Sequence, residues 1–210
     1  MADELMAKLF DAVPSNDLPN VPNYNVCPTD QVHTVTSSEG ARRLRGMRWG
    51  FIPHWYKTPN DGPLLVNARG ETIAEKPAFR AACRERRCIV PVSGFYEWTR
   101  EGGVKLPWFI QRQNGVPIAL AGIWQSWGED AAPTCAIVTT QATGPMSEIH
   151  HRVPVVLEEG DWGKWLGEEG KGAALLMNAP ADDVLRFHRV DPEVNSNRAE
   201  GAHLIEPIAA

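Results

Sequence analysis

Cys88-Ile89-Val90-Pro91-Val92 followed at once by Ser93-Gly94-Phe95-Tyr96-Glu97-Trp98-Thr99 is the stretch that decides the fold class of this chain. A short apolar run and then an aromatic alternation read as two strands, Cys88 to Val92 and Gly94 to Thr99, and more strands follow them than helices. The second strand also holds a carboxylate where an apolar side chain would be ordinary. Between Tyr96 and Trp98, and behind an apolar stretch, Glu97 would lie in a partly dry site, where its pKa rises and it can shuttle protons near neutrality. Alternation allows a plainer reading, in which Tyr96 and Trp98 share one face and Glu97 turns outward to water.

Downstream, Trp108 to Arg112, Ile118 to Trp124, Cys135 to Thr140, Val153 to Leu157, Ala173 to Met177 and His203 to Ile208 read as strands. Asn114-Gly115 is a hairpin signal, because both residues tolerate positive φ. Helices are expected from Glu159 to Glu168 and near Ala181 to Phe187. Upstream, Leu5, Met6, Leu9, Phe10 and Val13 recur at helical spacing, so Asp3 to Val13 reads as an amphipathic helix. Pro14 to Pro28 reads as irregular, Gln31 to Ser37 and Arg43 to Phe51 as strands, and Pro53 to Pro63 as a connection. Leu64 to Arg69 reads as a strand entering a site, and Glu75 to Arg87 as a helix. The expected architecture is α+β: one domain spanning residues 1–210, with a curled, barrel-like antiparallel β core and peripheral helices.

A chain of 210 residues can bury a core without disulfides or metal. No apolar run approaches the roughly 20 residues that span a bilayer, and no basic start precedes an apolar stretch, so neither a membrane span nor a secretory signal is expected. A cytoplasmic protein follows. Cys27, Cys83, Cys88 and Cys135 are scattered without a C-x-x-C pair, which predicts free thiols, mostly buried. The net charge of −5 argues against a basic nucleic-acid coat but leaves room for a groove on one face. Arg42, Arg43, Arg45 and Arg48 form one local cluster and Arg80, Arg84, Arg86 and Arg87 another, each either a solvated face or a binding surface.

Two further groups could carry chemistry. His150, in Glu148-Ile149-His150-His151-Arg152-Val153-Pro154, precedes an apolar strand, where loops deliver catalytic side chains; the alternative is a satisfied or exposed histidine. Asn67 and Arg69 are two apart and would share a strand face, a sensible pair for orienting an oxygen and neutralising a phosphate, or else a turn residue and a surface cation. No H-E-x-x-H spacing suggests zinc, and no G-x-S-x-G elbow suggests a serine hydrolase.

Together these pieces resemble the SOS response-associated peptidase family, abasic-site processing proteins that shield single-stranded DNA. The resemblance is carried by Tyr24-Asn25-Val26-Cys27-Pro28-Thr29, Trp49-Gly50-Phe51-Ile52-Pro53, Asn67-Ala68-Arg69-Gly70-Glu71-Thr72, Gly94-Phe95-Tyr96-Glu97-Trp98, Ile149-His150-His151-Arg152-Val153-Pro154 and Leu204-Ile205-Glu206-Pro207. It implies a chemistry without metal or cofactor. A cysteine at position two, freed by self-removal of the initiator Met, reacts with the ring-opened aldehyde of an abasic site. Its α-amine, with a pKa of about 8, forms a Schiff base and its thiol closes a thiazolidine, joining protein to DNA. The resemblance gives Asn67 the amine or sugar oxygens, Glu97 the proton transfers of imine formation and reversal, and His150 an acid or base role toward the sugar. Arg69 and Arg152 would bind phosphates, Thr139 would line the pocket, and Trp55 with Tyr56 would wedge against neighbouring bases. The implied partner is single-stranded DNA with abasic sites, at stalled replication forks, bound by a monomer associated with the nucleoid.

The family opens Met-Cys-Gly-Arg-Phe, whereas this chain opens Met1-Ala2-Asp3-Glu4-Leu5, within what matches the family's first helix. The expectation is a start that was misassigned or truncated, so that the nucleophile, its following Arg and the first strand lie upstream. The alternative is a non-covalent single-strand or junction binder. Cys27 is no substitute, having no free α-amine beside its thiol. A lyase using the Ala2 amine and a protease-like hydrolase using Glu97 and His150 are further alternatives.

Overall fold

The computed structural model describes residues 2–15 and 17–208. Met1, on which self-removal would turn, and Asn16, within the irregular Pro14 to Pro28 stretch, lie outside the described residues. Chain order runs α1 (Asp3–Leu9), β1 (Ala12–Pro14), β2 (Gln31–Ser38), β3 (Ala41–Trp49), β4 (Asn67–Arg69), α2 (Arg80–Glu85), β5 (Arg87–Val92), β6 (Phe95–Glu101) and β7 (Val104–Arg112). It continues with β8 (Ile118–Trp127), β9 (Ala132–Gln141), α3 (Met146–Ile149), β10 (Arg152–Pro154), β11 (Val156–Leu157), α4 (Trp162–Leu166) and β12 (Leu185–Arg189). Among the described residues no helix is long and apolar enough to cross a membrane.

The larger sheet curls until it meets itself. Antiparallel pairings run β3 to β2, β2 to β5, β5 to β8 and β8 to β9, and a parallel pairing of Arg48 with Thr134 and Trp49 with Cys135 joins β9 back to β3. Five strands thus form a ring of hydrogen bonds. The α+β, curled-sheet architecture read from the sequence is present, and parallel pairings of β1 with β3 and β4 with β9 add to it. β10 extends β9, β11 pairs with β8, and a separate three-stranded sheet has the order β12-β7-β6.

Strand alternation divides the apolar side chains between two faces. Val35, Leu44, Ile89, Ala121, Ile123, Ala136 and Val138 cluster with Met6 and Phe10, with Cys83 of α2, and with Trp162 and Trp165 of α4. Val90, Ile118 and Leu120 point the other way and pack with Ile110 and Leu185 of the small sheet and with Met146 and Ile149 of α3. That second contact brings the small sheet against α3. Trp165 is fully buried, its indole donating to the Cys88 carbonyl at 2.8 Å, while the Arg87 guanidinium donates to the carbonyls of Trp165, Cys83 and Arg84. One arginine thereby ties the end of α2, α4 and the start of β5 together. Three cysteines are buried, Cys27 is half-buried, and all four are free.

Several elements differ from the sequence reading. The first helix stops at Leu9, because Asp11 takes φ 49° and Ala12–Pro14 pairs beside β3. The Leu64 to Arg69 strand is reduced to β4 plus an isolated bridge between Leu65 and Phe51. Pro77, lacking an N–H, limits the Glu75 to Arg87 helix to α2, after a run of turns at Thr72 and Lys76. The Asn114-Gly115 turn exists but makes no hairpin, since β7 and β8 belong to different sheets. Ala173–Leu176 and Ala202–Ile205 are 3-10 turns, not strands, each entered through a positive-φ glycine, Gly172 or Gly201. The helix expected near Ala181 to Phe187 is instead β12, recruited by pairing Leu185–Arg189 with β7. Long-range pairing overrode local propensity there.

Candidate functional site

β5 leads into β6 through Gly94, where the chain must run close to β7. A Cβ at Gly94 would lie 2.3 Å from the Phe109 ring and 2.5 Å from the Ile110 carbonyl oxygen, so only glycine fits. Gly94→Ala is expected to cost about 1–3 kcal/mol, read as a lowered urea midpoint, because the overlap must be relieved by moving the strand.

Along β6 the alternation is as the sequence implied. Tyr96 and Trp98 share a face, with ring centroids 6.4 Å apart. The Tyr96 hydroxyl donates to the Tyr24 carbonyl at 2.7 Å and the Trp98 indole donates to Asn195 Oδ1 at 2.6 Å. Burial pushes the Tyr96 hydroxyl up to about 12, so it stays a donor. Glu97 does turn to the opposite face, but that face meets the end of α3 rather than open water. Its side chain is 23% exposed and its Oε1 lies 3.7 Å from Nδ1 of His150. Burial raises the Glu97 pKa above the ordinary carboxylate range, and the His150 charge and a backbone N–H pull it partly back.

His150 caps α3 in extended conformation (φ −150°, ψ 145°), its N–H still bonded to the Met146 carbonyl at 3.0 Å. Its Nδ1 lies 3.0 Å from the Arg152 carbonyl oxygen and accepts from the Arg152 N–H at 3.2 Å. A protonated Nδ1 can therefore donate to a carbonyl, and a bare one can accept from an amide. The imidazole is provided for in either state without turning.

β4 builds the other half of the site. Ala68 is fully buried while Asn67 and Arg69 on either side are exposed, so the two polar side chains share the outer face. Parallel register sets Arg69 opposite Thr139 of β9, and Gly70 N–H donates to the Thr139 carbonyl at 2.8 Å. β10 lies along β9 as well, with Arg152 opposite Gln141. Arg152 donates to both oxygens of Glu71, at 2.9 and 2.8 Å, and to the carbonyl and hydroxyl oxygens of Thr139, at 2.7 and 3.3 Å. The guanidinium holds the Glu71 carboxyl down at about 2. Contacts thus join Glu97, His150, Arg152, Thr139 and Glu71, with Arg69 beside them by register. Glu71 had no role in the sequence reading, although the Asn67, Arg69, Glu71 spacing of two was there to be seen.

Trp55 and Tyr56 are placed elsewhere. Trp55 is 49% exposed, and the carbonyl of Tyr56 accepts from the Trp127 indole at 2.9 Å. Their loop is anchored by Ile52 N–H on Thr134 Oγ1 at 3.1 Å. Thr134 and Thr139 are five residues apart on β9, roughly 16 Å at the usual rise per residue. The aromatic pair and the acid–base pair therefore sit at two ends of one strand. Cys27 is held by structure: its N–H donates to Asp30, and burial, with the Asp30 charge second, raises its thiol pKa. Asn25 beside it donates to the carbonyls of Ser196 and Ala199, both at 3.0 Å.

The arrangement offers a carboxylic acid that holds its proton to a higher pH than usual, an imidazole served in both states, and an exposed cation. That set suits proton transfer at a small electrophile in an anionic substrate.

Comparison with known proteins bears on that substrate. The family model for SOS response associated peptidase (SRAP) matches residues 1–197. Abasic site processing protein YoaM of Bacillus subtilis is 36% identical over 193 residues, 88% of this chain and 85% of that protein. Abasic site processing protein YedK of Escherichia coli is 34% identical over 216 residues, 98% of this chain and 95% of that protein. A crystal structure of a protein from Bacteroides thetaiotaomicron superposes with a TM-score of 0.76 at 26% identity, covering 86% of this chain and 82% of that one.

Proposed function

Because this chain belongs to the SOS response associated peptidase family, we propose that it processes abasic sites in single-stranded DNA, with Glu97 and His150 moving the protons. The observation that carries this reading is the raised Glu97 carboxyl 3.7 Å from His150 Nδ1. An abasic site opens to an aldehyde. An amine presented to the site attacks the aldehyde carbon and gives a carbinolamine. The protonated Glu97 donates to its hydroxyl, water leaves to give an iminium, and the nitrogen passes its proton to His150, so that an imine remains. A thiol on the same residue then adds to the imine carbon while its proton passes to nitrogen, closing a thiazolidine. Reversal runs the same transfers backwards, the Glu97 carboxylate taking a proton from the attacking water and so regaining its acid form.

Those two groups together are the N-terminal α-amine and side chain of a cysteine, so the covalent step is proposed for a form of the chain that begins with Cys. Position 2 here is Ala, and Cys27, Cys83, Cys88 and Cys135 have their nitrogens in peptide bonds. Exposed Arg69 is the phosphate ligand of the reading and Asn67 orients the sugar oxygen. Thr139 lines the pocket wall, and Trp55 with Tyr56 stacks bases farther along the strand. The terminal nitrogens of Arg152 are engaged by Glu71 and Thr139, so its part is taken up separately below.

The test is a denaturing gel of the present chain, and of the chain preceded by Met-Cys-Gly-Arg, each incubated with single-stranded DNA carrying one abasic site. A shifted band from the cysteine-bearing form alone is expected. No adduct from either, with salt-sensitive native binding intact, would favour the non-covalent reading. In that binding assay Arg69→Ala should weaken affinity for all sequences alike and reduce the slope of log K against log salt by about 0.7, the loss of one phosphate contact to a single strand.

A further inference from the structure

We propose that Glu71 is the positioning residue of His150, acting through Arg152. The proposal deepens, and rests on, the reading of Glu97 and His150 as the proton-moving pair.

The Glu71 carboxylate sits just past β4 and reaches two other strands. Oε1 accepts from Arg152 Nη1 at 2.9 Å, from the Gln141 N–H at 3.1 Å and from the Thr140 hydroxyl at 3.2 Å, and Oε2 accepts from Arg152 Nη2 at 2.8 Å. Nη2 also donates to the Thr139 carbonyl at 2.7 Å. The planar guanidinium is therefore fixed by four oxygens from two residues, Glu71 and Thr139, a fork geometry that leaves it little rotation. Arg152 Nε is buried and has no partner among the described residues, and only part of Nη1 is left for a ligand. What Arg152 does hold is its own backbone, and that backbone lies against His150: its carbonyl oxygen and its N–H are both within hydrogen-bond reach of Nδ1, one serving the protonated nitrogen and the other the bare one.

As a source of stability this ion pair is minor, since Glu71 is 46% exposed and water screens exposed pairs. Its geometric effect is larger, because His150 follows a helix of four residues and would otherwise be free to swing away from Glu97. The charged and titratable groups around the imidazole are Glu97 from β6, His151 with ring centroids 4.4 Å away, and Arg152 with its partner Glu71. The Glu71 carboxyl, held down at about 2 by the guanidinium, keeps its charge through the neutral range.

The experiment compares the full chain with its Glu71→Gln, Glu71→Asp and Thr140→Val variants, each checked for fold by circular dichroism. The ring nitrogens of His150, assigned with His150→Gln, are followed by NMR through a pH titration, with His188 and His203 as internal controls. Glu71→Gln is expected to shift the His150 nitrogens and their titration midpoint while His188 and His203 keep theirs. Thr140→Val, which removes one hydrogen bond, should move them less in the same direction, and Glu71→Asp should restore part of the change. In the cysteine-bearing form, adduct formation by Glu71→Gln should fall about 10- to 100-fold with DNA affinity unchanged, as for a misplaced catalytic group. Unchanged His150 nitrogens in a folded Glu71→Gln chain would overturn the positioning role even if abasic DNA is processed. Shifted nitrogens with no action of the parent form on abasic DNA would uphold the positioning and overturn the function instead.

Discussion

Glu97→Gln in the cysteine-bearing form will slow adduct formation with abasic single-stranded DNA by about 100-fold or more while making the fold more stable at neutral pH. In the proposed mechanism the rate effect follows from removing the acid that expels water from the carbinolamine, since positioned proton transfer contributes about 10²–10⁴-fold. It is read from time courses on a denaturing gel, and the falling limb of the pH–rate profile that Glu97 supplies should vanish with it. The stability effect has its sign set by the raised pKa. A folded carboxyl that holds its proton more tightly than the unfolded one contributes fully below the ordinary glutamate range, and that contribution is lost as pH rises through the folded value. Gln carries no such dependence. Urea midpoints at pH 5 and pH 7 should therefore show the advantage of the variant over wild type growing with pH; an advantage that shrinks would mean that Glu97 is not held in its acid form by burial. The Glu71–Arg152 pair cannot mimic this result, because the lowered Glu71 carboxyl makes its contribution above the ordinary glutamate range and loses it only as pH falls to about 2.

Trp165→Ala will destabilise the protein by about 3–5 kcal/mol, the usual range for a buried tryptophan and a large share of a typical total of roughly 5–15 kcal/mol. The side chain has no exposure, and its loss opens a cavity among Ile89, Cys83 and the other members of the cluster. It also leaves the Cys88 carbonyl without the indole donor and removes the ring beneath Arg87, whose guanidinium carbon is 6.0 Å from its centroid. The urea midpoint followed by far-ultraviolet circular dichroism measures this. A loss under about 1 kcal/mol would mean that α4 is not what holds the start of β5.

These two residues also mark how far the sequence could be read. Glu97 stood out because a charge interrupts an apolar, aromatic strand, and the alternation of Tyr96, Glu97 and Trp98 held. What alternation could not say was what lay on the far side of β6, since α3 arrives there from fifty residues downstream, a tertiary fact with no local signature. Asn67 and Arg69 were legible as a pair for the same period-two reason, with buried Ala68 between them. Glu71 was silent because its partners are 69 to 81 residues away, and an acid in a turn is usually solvated. Ala181 to Phe187 reads as helix because its neighbours in sequence permit one, while Trp108 to Arg112, its neighbours in space, draw Leu185 to Arg189 into a strand. Trp55 and Tyr56 were assigned from resemblance alone, and nothing in their spacing told of the loop that sets them at the other end of β9.

The closed circuit of β3, β2, β5, β8 and β9 leaves none of its five members as a terminal strand, whereas the small sheet has two, β6 and β12. Fraying begins at free edges, so amide protons of the circuit should exchange slowest and as a block, and those of β6 earlier, at a lower opening free energy. Glu97 rides on the early unit and His150 on a segment stitched to the late one. A partial opening that costs far less than global denaturation would therefore part Glu97 from His150, and under the proposed function the lifetime of a covalent DNA adduct would follow the breathing of one three-stranded flap rather than the stability of the whole protein.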